Sequence, residues 1–117
     1  MSRIILNYGG LVYLDRTLPL LTGDVKIQGV DLNYVAFNSP GDLFRRQAQN
    51  AEFDLSEMSM GTYITMTSRG DDRFVGLPIF VSRNFRHRCI YVHKESGIAS
   101  PGDLRGKRVG ILEYQMT

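Results

Sequence analysis

The stretch Asp31-Leu-Asn-Tyr-Val-Ala-Phe-Asn-Ser-Pro-Gly-Asp-Leu43 joins a strand pattern to a helix signal with almost nothing between them. Residues 31–37 are rich in aromatic and β-branched side chains, which is typical of a strand. Ser39 suits the N-cap position, Pro40 the first helical position, and Asp42 supplies an acid three residues after the cap. A strand followed directly by a capped helix predicts an α/β unit.

The residues after this signal have the periodicity of a helix that packs on a sheet. One predicted face is apolar, and the other is polar. The apolar face comprises Leu43, Phe44, Ala48 and Ala51, and the polar side comprises Arg45, Arg46 and Gln49.

Further strand and helix patterns lie on either side. Residues 3–8 predict a first strand ended by Gly9-Gly10, and residues 53–55 a short third strand. Ser59 predicts the cap of a second helix, ended near residues 70–72. Its predicted apolar side comprises Met60, Tyr63, Ile64 and Thr67.

The later part of the chain contains short apolar runs. Residues 74–81 are interrupted by Pro78, which predicts an edge or an irregular crossing. Residues 89–92 predict a strand buried on both faces, with Cys89 as a buried, reduced thiol. Residues 109–112 predict a last strand.

The pentapeptide Ser-Pro-Gly-Asp-Leu occurs twice, at residues 39–43 and 100–104. Duplication of a larger unit is one interpretation, and reuse of the same helix cap is the other. The sequences around the two copies do not match, which favours reuse of the cap. The whole pattern predicts an α/β fold with a mostly parallel sheet and flanking helices.

Composition excludes some classes of protein and indicates a location. The chain has 117 residues, 43% of them hydrophobic and 22% charged, with a net charge of only +2. This balance gives no electrostatic support for binding nucleic acid or a membrane surface. The residues after Met1 show no secretory signal, and no apolar run approaches the roughly 20 residues of a membrane span. The sequence therefore predicts a cytoplasmic protein.

The end of the sequence predicts an incomplete fold. A parallel strand is normally followed by a crossover helix, and none follows residues 109–112. We therefore expect the chain to be the opening part of a larger protein. Apolar strands without cover seek partners, so we also expect a homodimer formed through the exposed sheet.

Polar residues follow the first and third predicted strands, where ligands bind in open α/β sheets. Arg16 could hold a carboxylate through two parallel hydrogen bonds, or it could form a surface ion pair with Asp15. Ser59 and Ser56 could serve as helix caps, which leaves Glu57 as the surplus carboxylate. We expect Arg16 and Glu57 at the same edge of the sheet.

A basic cluster surrounds Phe85. With its aromatic residue it could bind nucleic acid, but a solvated loop is the more favoured interpretation. No metal site is expected, because two histidines and one cysteine lack the usual ligand spacing, and His93 at a strand end suits a structural role. The cluster comprises Arg83, Arg86, His87 and Arg88.

Four segments together resemble one family. The first is Tyr13-Leu-Asp-Arg-Thr17, the second Phe53-Asp-Leu-Ser-Glu-Met-Ser59, and the third Ser82-Arg-Asn-Phe-Arg-His87. The fourth runs from Ser96 through Asp103-Leu-Arg-Gly-Lys-Arg-Val-Gly110 to Glu113-Tyr-Gln-Met-Thr117. Their combination resembles the 4,5-dihydroxyphthalate decarboxylase-like proteins of the type 2 periplasmic-binding-protein superfamily. Val81 and Met58 depart from the residues usual in that family, namely proline and leucine.

The resemblance implies an architecture. Members are longer and have two lobes, so residues 1–93 would be an incomplete first lobe of a type 2 periplasmic-binding-protein fold. Residues 94–117 would be the crossover and the start of the second lobe.

The resemblance also implies a reaction, the decarboxylation of a dihydroxylated aromatic dicarboxylate without a cofactor. His87 would deliver a proton and Glu57 would act on a ring hydroxyl. The implied substrate-binding residues are Asp15, Arg16, Thr17, Ser56, Ser59, Arg83 and Arg86. The alternative is a solute-binding protein of a transporter, because the same fold serves both functions.

Overall fold

The computed structural model describes residues 3–82, 85, 89–111 and 114. Three parallel strands form one sheet in the order β2-β1-β3, and their bounds are β1 Ile4–Leu11, β2 Val30–Phe37 and β3 Leu55–Ser56. Strands β1 and β2 pair along their whole length, from Ile4 opposite Val30 to Leu11 opposite Phe37. The predicted α/β class with a parallel sheet and flanking helices is confirmed.

The helices are α1 Leu18–Thr22, α2 Pro40–Asn50 and α3 Met60–Ser68, and a 3-10 turn lies at Pro101–Leu104. Helix α2 begins as predicted, because the Ser39 hydroxyl accepts a hydrogen bond from the Asp42 amide at 3.4 Å. The sequence did not predict the short helix α1, which has five residues and a proline in its first turn.

Strand β1 continues through Gly9 and Gly10, so the prediction that these glycines end it is wrong. A Cβ atom on Gly9 would lie 2.5 Å from the Phe53 ring. On Gly10 it would lie 2.6 Å from the Tyr8 ring and 2.7 Å from the Tyr34 hydroxyl. Glycine is therefore required here because aromatic rings pack directly against the backbone of the strand.

The core lies between the sheet and α2. Leu11, Leu43 and Phe53 form its buried centre, and Leu43 is completely inaccessible to solvent. Half-buried side chains around this centre are Tyr13, Val35, Phe37 and Phe44.

A buried glutamine fastens α2 to the chain before β3. The Gln47 side chain donates to the Phe53 carbonyl at 3.1 Å and accepts from the Phe53 amide at 3.0 Å. Ala51, predicted on the apolar face of α2, is instead exposed at the helix end with a left-handed backbone. The helix therefore ends before Ala51 can contribute to the core.

Helix α3 begins after Ser59, as predicted, but none of its residues is buried. Met60 and Ile64, expected to pack, are 51% and 58% exposed. The Tyr63 hydroxyl accepts a hydrogen bond from the Gly76 amide at 3.1 Å, which ties α3 to the segment after it. Within the described residues, the apolar side of this helix is therefore only partly covered.

The described residues between 74 and 111 form no strand. The predicted strand at residues 89–92 is wrong, and Cys89 is exposed rather than buried. Residues 109–111 are also irregular, and Leu112 lies outside the described residues. A strand needs a neighbouring strand to satisfy its amides, and neither run pairs with a strand of the sheet.

The chain is less compact than a folded domain of its size, which reflects the irregular region between residues 74 and 111. Its radius of gyration is 18.2 Å, against about 13 Å for a compact domain of similar size. Its accessible surface is 9559 Å², against roughly 6,500 Å² for a compact folded monomer of this mass. Exposed large apolar residues here are Val75, Leu77, Ile79, Phe80, Phe85, Ile90, Tyr91, Val92, Val109, Ile111 and Tyr114. The dimer expected from exposed apolar surface stays a prediction.

In the part of the chain that the structure describes, no helix is both long enough and apolar enough to cross a bilayer. The cytoplasmic location and the lobe boundary near residue 93 stay predictions.

Candidate functional site

The turn after β1 is fixed by a buried threonine. The Thr17 hydroxyl donates to the Leu11 carbonyl at 2.7 Å and accepts from the Tyr13 amide at 2.9 Å. The Tyr13 carbonyl accepts from the amides of Arg16, Thr17 and Leu18. Thr17, expected to bind substrate, therefore has a clear structural use, and its role toward a ligand stays a prediction.

Glu57 is the buried carboxylate of this edge. Its amide donates to the Gly9 carbonyl at 3.2 Å, which places it directly after β3 and beside the end of β1. One carboxylate oxygen, Oε1, accepts from the Leu11 amide at 2.9 Å and from the Tyr8 hydroxyl at 3.3 Å. The residue is 8% exposed. A carboxylate so far removed from water needs these donors to stay charged.

Burial raises the pKa of Glu57, while hydrogen bonds from the Leu11 amide, Tyr8 and Tyr13 and the charge of Arg16 oppose that rise. Burial also raises the pKa of Tyr8, and the nearby Glu57 carboxylate raises it further. The carboxyl group of Glu57 therefore holds a proton more readily than an exposed glutamate, and Tyr8 stays neutral.

Tyrosines surround this carboxylate, and the sequence patterns did not single them out as a group. Tyr8 and Tyr34 are opposite each other in the β1–β2 register, with ring centroids 4.8 Å apart in an edge-to-face contact. The Tyr34 hydroxyl donates to the Leu11 carbonyl at 2.8 Å. Burial raises the pKa of Tyr13, and the nearby Glu57 carboxylate raises it further. The available signal was the occurrence of tyrosine near the ends of two adjacent predicted strands.

Arg16 forms the surface ion pair with Asp15 and also contacts Tyr13. Its Nε contacts both carboxylate oxygens of Asp15 at 3.1 Å, and its guanidinium lies 4.8 Å from the centroid of the Tyr13 ring. It also donates to the Val81 carbonyl. Arg16 and Glu57 both follow the carboxyl ends of strands, and the charge of Arg16 acts on the Glu57 carboxyl. The expectation that they share one edge of the sheet agrees with the structure.

Two predicted site serines have local partners. The Ser59 hydroxyl accepts from the Thr62 amide at 3.3 Å, so it caps α3. The Ser56 hydroxyl donates to the Glu57 carbonyl at 2.9 Å. Both serines stabilise the backbone on either side of Glu57, and their contact with a substrate stays a prediction.

The basic residues Arg83, Arg86 and His87 lie outside the described residues, as does Arg88. Their predicted roles are therefore not placed by the structure. Across residues 3–82, 85, 89–111 and 114, no group of three His, Cys, Asp or Glu side chains could hold a metal ion.

An open cleft of about 340 Å³ lies at this edge. A second open cleft, of about 330 Å³, lies between α2 and α3, away from Glu57. The first has a volume at the lower end of the range for small-molecule sites. It is lined by Leu11, Val12, Tyr13, Phe37, Asn38, Pro40 and Ser82.

No family model matches the chain. Two curated proteins, each described as a 4,5-dihydroxyphthalate decarboxylase, are similar to it. The protein from Comamonas testosteroni is 43% identical over 103 residues, and the protein from Pseudomonas putida is 40% identical over 102 residues. The chain is related to the 4,5-dihydroxyphthalate decarboxylases. The resemblance inferred from the four sequence segments is confirmed.

The matches cover 88% and 87% of this chain, but only 31% and 39% of the two decarboxylases. The chain thus spans about a third of the length of the curated relatives it matches. A match over 103 of 117 residues necessarily includes Arg16 and Glu57, so these two residues lie within the part shared with the Comamonas decarboxylase.

Proposed function

We propose that the full-length protein converts 4,5-dihydroxyphthalate into 3,4-dihydroxybenzoate and carbon dioxide. The observation that carries this proposal is the identity of 43% and 40% with two proteins described as 4,5-dihydroxyphthalate decarboxylases. Because the chain spans about a third of their length, the activity is proposed for the full-length protein. The 117 residues alone are expected to be inactive.

The reaction places three demands on a site, namely a base, an acid, and cations that orient the two carboxylates. A base must draw the proton from the ring hydroxyl para to the departing carboxylate, which raises electron density on the ring carbon that bears it. An acid must then protonate that carbon. The carbon–carbon bond breaks last, and its electron pair returns to the ring as carbon dioxide leaves.

Glu57 supports the first demand. It is a carboxylate at the edge where α/β sheets bind ligands, and burial raises its pKa toward that of a phenol. A base whose pKa lies nearer that of the proton donor accepts the proton at a smaller energetic cost. In this proposal Glu57 takes up the hydroxyl proton, and His87 delivers a proton to the ring carbon.

Arg16 is the proposed anchor for a carboxylate, together with Arg86. The Arg16 side chain is 45% exposed, so a ligand can reach it. Its pairing with Asp15 and its contact with the Tyr13 ring hold the guanidinium at the same edge of the sheet as Glu57. Asp15, Thr17, Ser56, Ser59 and Arg83 are proposed to complete the binding surface. Residues 1–93 would belong to the first lobe of the full-length protein, and residues 94–117 to the crossover and the start of the second lobe.

The test is turnover by the full-length protein, with carbon dioxide and 3,4-dihydroxybenzoate measured by chromatography after addition of 4,5-dihydroxyphthalate. Arg16→Ala should raise KM by about 10- to 100-fold, since a charge-assisted hydrogen bond contributes roughly 1.5–3 kcal/mol. Arg86→Ala should abolish turnover.

Arg3→Ala is the matched control for Arg16. Arg3 precedes the amino end of β1, where it pairs with the exposed Asp31 at 2.7 Å, so its loss should leave KM unchanged. Tight binding of the dicarboxylate without any product would contradict the decarboxylase proposal and favour the solute-binding alternative.

A further inference from the structure

The Glu57 carboxylate is held from strand β1 through one of its two oxygens. That oxygen, Oε1, accepts from the Leu11 amide at 2.9 Å and from the Tyr8 hydroxyl at 3.3 Å. Both donors belong to β1, and Glu57 is 8% exposed. Because both bonds fall on Oε1, the second oxygen, Oε2, can take up a proton without breaking either of them.

Tyr8 has little freedom to move away from this carboxylate. It is 7% exposed, and its ring meets the Tyr34 ring edge to face, with the centroids 4.8 Å apart. The ring also lies directly against the strand, since a Cβ atom on Gly10 would lie 2.6 Å from it. The Tyr34 hydroxyl donates to the Leu11 carbonyl at 2.8 Å, which fixes the second ring in turn. This packing keeps the Tyr8 hydroxyl directed at Oε1.

We propose that Tyr8 is a positioning residue that, together with the Leu11 amide, presents Oε2 of Glu57 to the ring hydroxyl of the substrate. This inference rests on the proposed decarboxylation and adds a residue to its first step. Tyr8 is almost wholly buried, so it acts through Glu57 and does not touch the substrate. Its bond matters because the terminal torsion of a glutamate side chain is broad, and two donors on one oxygen restrict it.

The proton transfer at Glu57 balances without an added reactant. The ring hydroxyl gives its proton to Oε2, so the substrate becomes a phenolate and Glu57 becomes a neutral acid. Tyr8 keeps its own proton, because burial and the nearby Glu57 carboxylate both raise the pKa of Tyr8. After carbon dioxide leaves, Oε2 returns its proton to the product phenolate.

The Tyr8 bond also affects how readily Glu57 ionises. Burial raises the pKa of Glu57, and the bonds from the Leu11 amide and the Tyr8 hydroxyl oppose that rise because they favour the carboxylate. Loss of the Tyr8 hydroxyl should therefore raise the pKa of Glu57 further, whereas loss of the Tyr34 hydroxyl leaves both bonds in place. The other ionisable side chains that interact with this carboxyl, among the residues that the structure describes, are Tyr13 and Arg16 after β1 and Tyr34 of β2.

The experiment compares two hydroxyl deletions in the full-length protein, with kcat and KM for 4,5-dihydroxyphthalate measured over a range of pH. Tyr8→Phe keeps the packed ring but removes one hydrogen bond to a charged group, so kcat should fall about tenfold with little change in KM. The loss of activity on the acid side of the pH profile should also move to higher pH, because the base is harder to ionise.

Tyr34→Phe is the matched control, because it deletes the other hydroxyl of the same ring pair. Its hydroxyl bonds to a backbone carbonyl, so the acid side of its pH profile should coincide with that of the wild type. Equal shifts in the two variants, or no shift in either, would overturn the proposal, because the Tyr8 hydroxyl would then have no specific effect on Glu57.

A titration tests the contact without relying on turnover. In carbon-13 NMR of the full-length protein, the Glu57 carboxyl signal is identified by its absence in Glu57→Gln. Its pKa should be higher in Tyr8→Phe than in the wild type or Tyr34→Phe, and an unchanged pKa would overturn the role of Tyr8. A wild-type protein without turnover would overturn the proposed function and this step with it. Normal turnover by Tyr8→Phe with an unmoved pH profile would overturn the role of Tyr8 alone.

Discussion

The same five residues, Ser-Pro-Gly-Asp-Leu, fold differently at residues 39–43 and 100–104. Both copies begin with serine in an extended backbone followed by proline. The first opens the 11-residue helix α2, in which the Leu43 amide bonds to the Ser39 carbonyl four residues back. The second makes one 3-10 turn, in which the Asp103 amide bonds to the Ser100 carbonyl three residues back.

The difference comes from the residues after each copy and from the surface on which its leucine can pack. After Leu43 the chain continues without glycine to the end of α2, and the side chain of Leu43 is buried in the core. After Leu104, Gly106 adopts a left-handed backbone with φ +74° and ends the turn. The cap starts a helix in both places, but a helix continues only where its apolar face has a surface to pack on. Residues 3–69 provide that surface, and the described residues from 74 onward do not.

The largest expected effect comes from the paired leucines. Leu43→Ala should lower the free energy of unfolding by about 3 kcal/mol, because it leaves a cavity at a fully buried position. Leu104→Ala, in the second copy, should cost under about 1 kcal/mol. Urea denaturation followed by circular dichroism measures both. Similar losses would contradict the claim that only the first copy contributes to a core.

Replacing a glycine with alanine in each of the two parts of the chain tests the same contrast. Gly9→Ala should lower the free energy of unfolding by about 2 kcal/mol, because its Cβ would overlap the buried Phe53 ring. Gly110→Ala meets no atom within 4 Å and should change it by less than about 0.5 kcal/mol. Thermal unfolding of both variants is the measurement, and a neutral Gly9→Ala would show that β1 and Phe53 are not packed as described.

The sequence predicts the sheet and its two main helices because their signals are local. The strand pattern of residues 31–37 and the caps Ser39 and Ser59 each lie within a few residues. The role of Gly9 depends on Phe53, 44 positions away in the chain, so no local pattern could distinguish a strand end from close ring packing. The apolar runs after residue 74 failed as strands because strand formation requires a neighbour that a local pattern does not reveal.

The candidate site was predictable to a similar extent. Arg16 and Glu57 were found from their positions after strands, since parallel strands end at the same edge. The burial of Glu57 and its hydrogen bond with Tyr8 depend on register across the sheet, which the sequence does not specify. Tyr13 itself begins the first of the four family-like segments but drew no prediction, because an aromatic residue there is equally typical of a core.

The helix caps should give a smaller difference. Ser39→Ala should lower the free energy of unfolding by about 1 kcal/mol, because the Asp42 amide loses its acceptor at the start of a packed helix. Ser100→Ala should leave global unfolding unchanged and alter only the local turn. Chemical denaturation of the two variants measures the contrast, and an equal cost at Ser100 would mean that the second turn is part of the cooperative core.

The smallest expected effect is a pH dependence of stability that arises within residues 3–69. The pKa of Glu57 is raised above its ordinary value of 4.5, so the folded state binds its proton more tightly than the unfolded chain. This contribution to stability is complete below pH 4.5 and is lost as pH rises through the raised pKa. Glu57→Gln should flatten that decline in stability, measured by urea denaturation at a series of pH values.

The pKa of Asp103, which lies among the described residues from 74 onward, is shifted in the opposite direction to that of Glu57. Hydrogen bonds from the Ala99 and Ser100 amides lower its pKa below 3.8, so its contribution is present above that pH and is lost on further acidification. Asp103→Asn should therefore leave the decline in stability above pH 4.5 unchanged. A wild-type chain whose stability rises from pH 4.5 toward neutrality would contradict the Glu57 environment, provided that Glu57→Gln removes the rise.

Amide hydrogen exchange tests most directly the claim that an ordered core forms only where packing partners exist. Amides of β1, β2 and α2 should be protected, including that of Leu11, which donates to the buried Glu57 carboxylate. Amides of residues 90–92 and 109–111, which join no strand, should exchange at rates close to those of an unfolded chain. Protection of residues 90–92 equal to that of β1 would mean that a strand forms there after all, and would contradict the contrast between the two regions.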